Sequence, residues 1–119
     1  MIKIGKNISE FSVHSCQPKT KDELKDIIRD RIKEQGTECD LNDIDVSLID
    51  DMAYMFYEMD FNGDIYNWNV SNVKNVCCMF AFSSFNQDIS NWNIRKDCDT
   101  REMFYNCPIK EEFKPELPE

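Results

Sequence analysis

The residues best suited to chemistry lie near the start of the chain, where the only histidine, His14, is followed by Cys16. The spacing in "HSC" could begin a zinc site, but such sites need further ligands at matching spacing, and no C-x-x-C pair follows. A Ser-His-Asp or Cys-His arrangement would have to use His14 as its base. The sequence therefore predicts no catalytic residue, no metal site and no cofactor. It favours a non-enzymatic protein in which His14 is structural.

The six cysteines could form a disulfide framework of the kind that stabilises small secreted domains. The opening residues "MIKIGKNISEF" lack the apolar segment of a secretory signal, which favours reduced thiols instead. Cys77 and Cys78 are adjacent, but they align with Ala53 and Tyr54 in an internal repeat, so packing explains them better than a redox role. No apolar run reaches the roughly 20 residues that cross a bilayer. We therefore expect a soluble, cytoplasmic protein without membrane contact.

Three aspartates, Asp40, Asp64 and Asp88, follow one another at intervals of 24 residues. Stacked carboxylates could supply oxygen ligands to calcium. Aspartates at the start of a turn also accept hydrogen bonds from amides of the same turn. We favour this structural interpretation over a calcium site.

The charge of the chain is −9 and is unevenly distributed. From Glu38 to Asp64 there are nine carboxylates and no Lys or Arg. A surface of this kind repels phosphate backbones. Direct binding of nucleic acid is therefore not expected.

A repeat must position these side chains, because "FNGDIYNWNV" (61–70) returns as "FNQDISNWNI" (85–94) with seven of ten positions identical. Extending the period of 24 places apolar residues in columns, which we expect to form the core. These columns are Leu41, Ile65 and Ile89; Met55, Met79 and Met103; and Phe56, Phe80 and Phe104. A single unit cannot bury its apolar side, whereas stacked units bury a continuous column.

Each unit combines two apolar spacings. "DIYNWNVSNV" has a β-compatible pattern, and "VKNVCCMF" has apolar residues every three or four positions, which predicts a short helix entered at Ser71 or, one unit earlier, Ser47. Before the repeats, residues 18–36 predict an amphipathic helix with a Thr20/Glu23 capping box and a stop at Gly36. Residues 1–13 predict one or two short strands.

The phrases "NWNVSNVKNVCCMF", "FNQDISNWNI" and "MFYNCPIKEEFKP" resemble the BspA-like leucine-rich-repeat proteins of bacteria, over residues 37–113. The resemblance implies an α/β fold, a short leucine-rich-repeat-like solenoid with an N-terminal amphipathic capping helix. It also implies a role in binding. We expect a single domain, 1–119, divided into the N-terminal strand and helix (1–36), the repeats (37–113) and a C-terminal tail (114–119).

The predicted function is a non-catalytic protein-protein interaction module with an acidic surface, whose partner carries a basic patch. Contacts are expected from Asp43, Asp45, Asp50, Asp51, Tyr57, Glu58, Asp60 and Tyr66. Five aromatic residues recur less strictly than the core and are expected to include exposed rings: Tyr54, Tyr57, Tyr66, Phe82 and Tyr105. The alternative is a small acidic inhibitor of a nucleic-acid-handling enzyme, encoded by a phage or mobile element. The chain is expected to be a monomer or an end-to-end dimer.

Overall fold

The computed structural model describes residues 16–118. Within this range the chain forms one α-helix, α1 (Lys21–Gln35), and one 3₁₀ turn (Glu111–Phe113). The described residues contain no strand, only isolated parallel bridges such as Asp40 to Asp64. No helix in the described part has the length and apolar content needed to cross a membrane. The strands predicted in 1–13 and the residue His14 lie outside the described residues.

The predicted helix is confirmed, with bounds slightly inside the predicted 18–36. The Thr20 hydroxyl accepts a hydrogen bond from the Glu23 amide at 3.2 Å, and the Glu23 carboxylate accepts one from the Thr20 amide at 3.3 Å. At the other end, the amide of Gly36 (φ +92°) donates to the Ile32 carbonyl. Leu24 and Ile28 are buried, so the apolar face of α1 packs on the rest of the chain.

The prediction of an α/β, leucine-rich-repeat-like solenoid is wrong, because the described chain has neither strands nor a helix in each unit. The β-compatible segment is bent by turns, in which Trp68 donates to the Ile65 carbonyl and Val73 to the Val70 carbonyl. A chain that turns this often forms isolated bridges in place of a sheet ladder. The apolar spacing near Cys78 also comes from turns.

Successive β-turns fill the segments 52–59, 76–83 and 100–107, which we call the turn segments. In 76–83, amides donate to the carbonyl three residues earlier at Met79, Ala81 and Ser83. Cys78 and Phe82 have φ of +58° and +59°, outside the helical region. A series of such turns places every third or fourth side chain inward, as a helix does. The predicted helix is therefore wrong although its apolar pattern is real.

The turn segments lie in register across 24 residues. The amides of Tyr54, Phe56 and Glu58 donate to carbonyls of the second segment, and those of Cys78, Phe80 and Phe82 donate to carbonyls of the third, at 2.9–3.1 Å. Neighbouring segments thus satisfy each other's backbone groups, as buried backbone requires.

The predicted apolar columns form the core, except that Phe104 is partly buried and packs against it. Leu41, Ile65 and Ile89 are fully buried and belong to one cluster. Phe56 stacks on Phe80 with ring centroids 5.4 Å apart. Aromatic stacking continues with Phe80 on Phe104 (5.7 Å) and Trp68 on Trp92 (6.4 Å). The indole N–H groups of these tryptophans donate to the carbonyls of Leu41 and Ile65, which satisfies the polar atom of each buried ring.

The structural interpretation of the aspartate column is confirmed. Oδ1 of Asp40, Asp64 and Asp88 accepts a bond from the amide two residues later, at 2.8, 3.0 and 2.9 Å. The helix-capping role predicted for Ser47 and Ser71 is wrong. Their amides donate instead, to the side chains of the residues two positions earlier.

Candidate functional site

An aromatic row crosses the outer side of the three turn segments. It consists of Tyr54, Tyr57, Phe82 and Tyr105, whose exposed fractions are 50%, 36%, 45% and 56%. Successive rings meet edge to face, with centroids 5.2, 5.8 and 5.4 Å apart. The contacts hold the rings in one continuous, solvent-facing arrangement.

The register of the turn segments explains how the row is continuous. The column 57, 81, 105 holds Tyr57, Ala81 and Tyr105, so its central position lacks a ring. Phe82, one residue further along the middle segment, contacts both tyrosines. The ring at Phe82 thus replaces the one missing at Ala81 and leaves the row unbroken.

Two rings of the row stand on unusual backbone. Tyr54 and Phe82 have φ of +62° and +59°, in the left-handed region that bulky residues seldom adopt. Glycine or asparagine adopts a positive φ with less strain than tyrosine or phenylalanine. Asn106 has this conformation at the position equivalent to Phe82. The same conformation recurs at the equivalent positions Cys78 and Glu102, and at Glu58 and Asn106, so it belongs to the turn segments and not to the rings alone.

An open cleft of about 450 Å³ adjoins the row at Tyr54 and is lined by Cys77, Cys78, Arg101 and Glu102. The sulfur atoms of Cys77 and Cys78 lie 3.5 Å apart. Burial, and then the hydrogen bond with Cys78, raise the pKa of Cys77. A hydrogen bond with Cys78 raises the pKa of Tyr54. The protonated thiol of Cys77 is a poor nucleophile, so the cleft lacks an activated cysteine there.

Arg101 is fixed at the edge of this cleft by Asp99. Its guanidinium donates to both carboxylate oxygens, at 3.0 and 2.7 Å, and the Arg101 amide donates to Asp99 Oδ1. These bonds lower the pKa of Asp99 to about 2, chiefly through the side chain of Arg101. A charged, oriented guanidinium therefore stands beside the aromatic row.

The Asp99 carboxyl is expected to titrate near pH 2 in the folded protein, against about 3.9 in the unfolded chain. Since the folded pKa is the lower one, its contribution to stability is complete above the unfolded value and is lost as the pH falls toward 2. Carboxyl carbon NMR over this pH range measures the shift. Arg101→Gln should raise the pKa of Asp99, whereas Arg95→Gln, which removes the partner of Asp97, should leave it unchanged. Titration of Asp99 at its ordinary value would contradict this arrangement.

Three of the predicted contact acids are engaged within the protein. Asp43 receives two bonds from Arg31 of α1, at 2.9 and 2.6 Å. Asp45 accepts bonds from the Gln17 side chain and the Ser47 amide, and Asp51 pairs with Lys21 at 3.4 Å. These carboxylates attach α1 and the segment before it to the first unit.

The other predicted residues are distributed over more than one surface. Tyr57 belongs to the aromatic row, and Glu58 follows it on exposed, left-handed backbone. Asp50 and Asp60 are exposed. Tyr66 is exposed in the turn that starts at Asp64, outside the aromatic row. The predicted contact set thus includes one member of the row and omits Tyr54, Phe82, Tyr105 and Arg101. The first three had a signal in the sequence, their irregular recurrence; Arg101 had none.

Comparisons with known proteins give one family and correct the predicted one. No curated protein and no solved structure matches the chain. The matching family model covers residues 24–115, and no match to a leucine-rich-repeat or BspA-like family accompanies it. The predicted membership of the BspA-like leucine-rich-repeat family is therefore wrong. The expected bacterial family is confirmed by the description of this model, which names Mycoplasma. Since the match spans well over half of the sequence, the chain belongs to the DUF285 family, described as Mycoplasma protein of unknown function.

Proposed function

We propose that this protein is a non-catalytic docking module that binds a protein partner through the aromatic row. The observation that carries the proposal is the set of four exposed rings in unbroken edge-to-face contact across three turn segments. Contiguous exposed apolar surface marks interaction sites, and tyrosine is enriched among the residues that dominate binding energy. Rings already held by their neighbours lose little freedom on binding.

The charges around the row support a partner with a basic patch. Glu58 and Glu102 are exposed beside the rings, the one guanidinium described there, Arg101, is paired with Asp99, and the chain as a whole carries −9. Complementary charge speeds the encounter and selects the partner, while the rings supply most of the affinity. The alternative, an acidic inhibitor of a nucleic-acid-handling enzyme, depends on free carboxylates. Asp43, Asp45 and Asp51 are already engaged, so the geometry favours the aromatic row over that alternative.

A cytoplasmic location is part of the proposal. Fractionation of cells that express the full-length gene product, with detection of the protein in the soluble cytoplasmic fraction, tests this part.

The docking proposal is tested by affinity capture from a lysate of a bacterium that encodes a member of the family, at low and high salt. The row variant carries Tyr57→Ser, Phe82→Asn and Tyr105→Ser. The asparagine introduced by Phe82→Asn matches Asn106, which has the same left-handed backbone at the equivalent position, so this change preserves the turn. Loss of a single anchoring ring weakens binding by roughly thirtyfold, so the row variant should retain no partner.

The matched control carries Leu48→Ser and Tyr66→Ser, which remove exposed apolar side chains outside the row. It should retain the same partner as the parent protein at both salt concentrations. Capture of the same partner by the row variant would contradict docking through the row. So would a partner that the parent protein loses when only the salt concentration is raised. The second result would favour the acidic inhibitor.

A further inference from the structure

An apolar groove of about 250 Å³ lies between α1 and the first turn segment. Its floor is formed by Ile28 and Ile32 of α1 and by Met55 and Met59 of the turn segment. Methionine side chains are flexible and polarizable, so they adapt to an inserted apolar group. The groove is on the helical end of the molecule and shares no residue with the aromatic row.

Three basic side chains, Lys25, Arg29 and Lys33, line the same groove. They are four residues apart along α1 and therefore project from one side of the helix. Their aliphatic stems extend the apolar wall, and their charged ends reach solvent at its rim. Arg29 also pairs with Asp26 at 2.9 Å. Lys25 and Lys33 form no ion pair among the described residues, so their ammonium groups are the ones open to a ligand. Although α1 as a whole carries as many acidic as basic residues, none of the described residues that line the groove is acidic, so the charges at its rim are positive.

We infer that this groove binds a small anionic amphiphile, a free aliphatic carboxylate of the fatty-acid class. The alkyl chain would lie on Ile28, Ile32, Met55 and Met59, and the carboxylate would be held at the rim by Lys25 or by Lys33, which lie about 12 Å apart along α1. The combination of an apolar floor and a cationic rim selects such a ligand over a neutral alkane or a cationic detergent. A volume of about 250 Å³ is somewhat below the range of pockets for drug-sized ligands, which fits a single short chain.

The test uses the full chain labelled with ¹³C at its methionine methyl groups and titrated with monomeric decanoate. The methyl signals of Met55 and Met59 should shift saturably, while those of Met79 and Met103, which lie in the other turn segments, should not. Across hexanoate, octanoate and decanoate the affinity should rise by up to roughly fourfold per methylene. Decanol and decyltrimethylammonium at the same concentrations should bind more weakly.

Two variants separate the parts of the site. Lys25→Gln with Lys33→Gln removes the ammonium group at either end of the groove and should weaken decanoate binding by up to about fivefold, as expected for the loss of an exposed ion pair. Lys74→Gln with Lys96→Gln makes the same charge change outside the groove and should have no effect. Met59→Trp, a substitution at a partly buried position, should fill the groove and weaken binding by tenfold or more.

Several results would overturn the inference. These are no shift at Met55 and Met59, equal shifts at all four methionines, equal affinity for decanoate and decanol, or no difference between the two lysine variants. Shifts at Met55 and Met59 that follow protein concentration in place of decanoate would assign the groove to a second copy of the chain. That outcome also rejects the amphiphile.

Discussion

Replacing Phe80 by alanine is expected to lower the free energy of unfolding by about 3–5 kcal/mol. Phe80 is fully buried and its ring lies 5.4 Å from that of Phe56, 4.3 Å from Phe85 and 5.7 Å from Phe104. Removing it leaves a cavity at the centre of the stacked rings, with units on both sides. Domains of this size are stable by about 5–15 kcal/mol, so urea denaturation should show a large fraction of that stability lost.

The matched control is Phe82→Ala, two residues further along the same turn segment. Phe82 is 45% exposed and makes only two edge-to-face contacts, so its replacement should lower the free energy of unfolding by about 1–2 kcal/mol. If the Phe80→Ala variant is too unstable for denaturation, Phe80→Leu provides a second, milder measurement. Similar losses for Phe80→Ala and Phe82→Ala would contradict the assignment of one ring to the core and the other to the surface.

Replacing Gly63 by alanine is the second change with a large expected effect, about 3 kcal/mol or more, the upper end for overpacking. A Cβ at this position would lie 2.0 Å from the Cys39 carbonyl oxygen and 2.7 Å from the Phe61 ring. The Cys39 carbonyl also accepts the Asp64 amide at 3.2 Å, so the methyl group would push apart a backbone contact between units. Thermal or urea denaturation measures the loss.

Gly36→Ala is the control for this prediction, because the two glycines are required for different reasons. Gly36 has φ of +92° and ψ of 174°, a conformation open essentially only to glycine, with nothing within 4 Å of an added Cβ, so the cost is that of backbone strain alone, about 1–3 kcal/mol. Gly63→Ala should be clearly the more damaging. The reverse order would show that the units do not approach each other as closely at Cys39 as described.

Much of the core could be predicted from the sequence, because the period of 24 brings like residues into columns. The column of Leu41 is buried as predicted, and the column of Phe56 is buried except at Phe104, which is partly buried. The helix α1 was predicted from its capping box and its apolar face, both of which are local. These features depend on periodicity and on neighbours along the chain, which a sequence displays directly.

The type of local structure in each unit could not be predicted in the same way. A series of β-turns and a helix both bring apolar residues inward every three or four positions, so the pattern around Met79 fits either. The positive φ of Cys78 and Phe82 distinguishes the turns from a helix. A glycine at these positions would have indicated a positive φ in the sequence, whereas Cys and Phe do not. The strand prediction failed because i to i+3 bonds, such as Trp68 to Ile65, bend the chain before a ladder forms.

The candidate site depended on contacts between distant residues. The sequence predicts Asp43 as an exposed contact residue, but in the structure it pairs with Arg31 of α1, twelve residues away in the chain. The aromatic row requires Phe82 to replace the missing ring at Ala81, a one-residue offset that alignment by period conceals. Acid content therefore pointed to Asp43, Asp45 and Asp51, whereas the geometry points to the rings.

The central claim is that the turn segments lie in register, since this register builds both the stacked core and the aromatic row. The most direct measurement is the NMR scalar coupling through hydrogen bonds, from the amide nitrogens of Phe56 and Phe80 to the carbonyl carbons that accept from them. We predict couplings from Phe56 to Met79 and from Phe80 to Met103, whose bonds are both 2.9 Å long. A folded protein in which these couplings are absent, and in which Phe80 couples instead to Val76 four residues earlier, would contradict the register and with it the row.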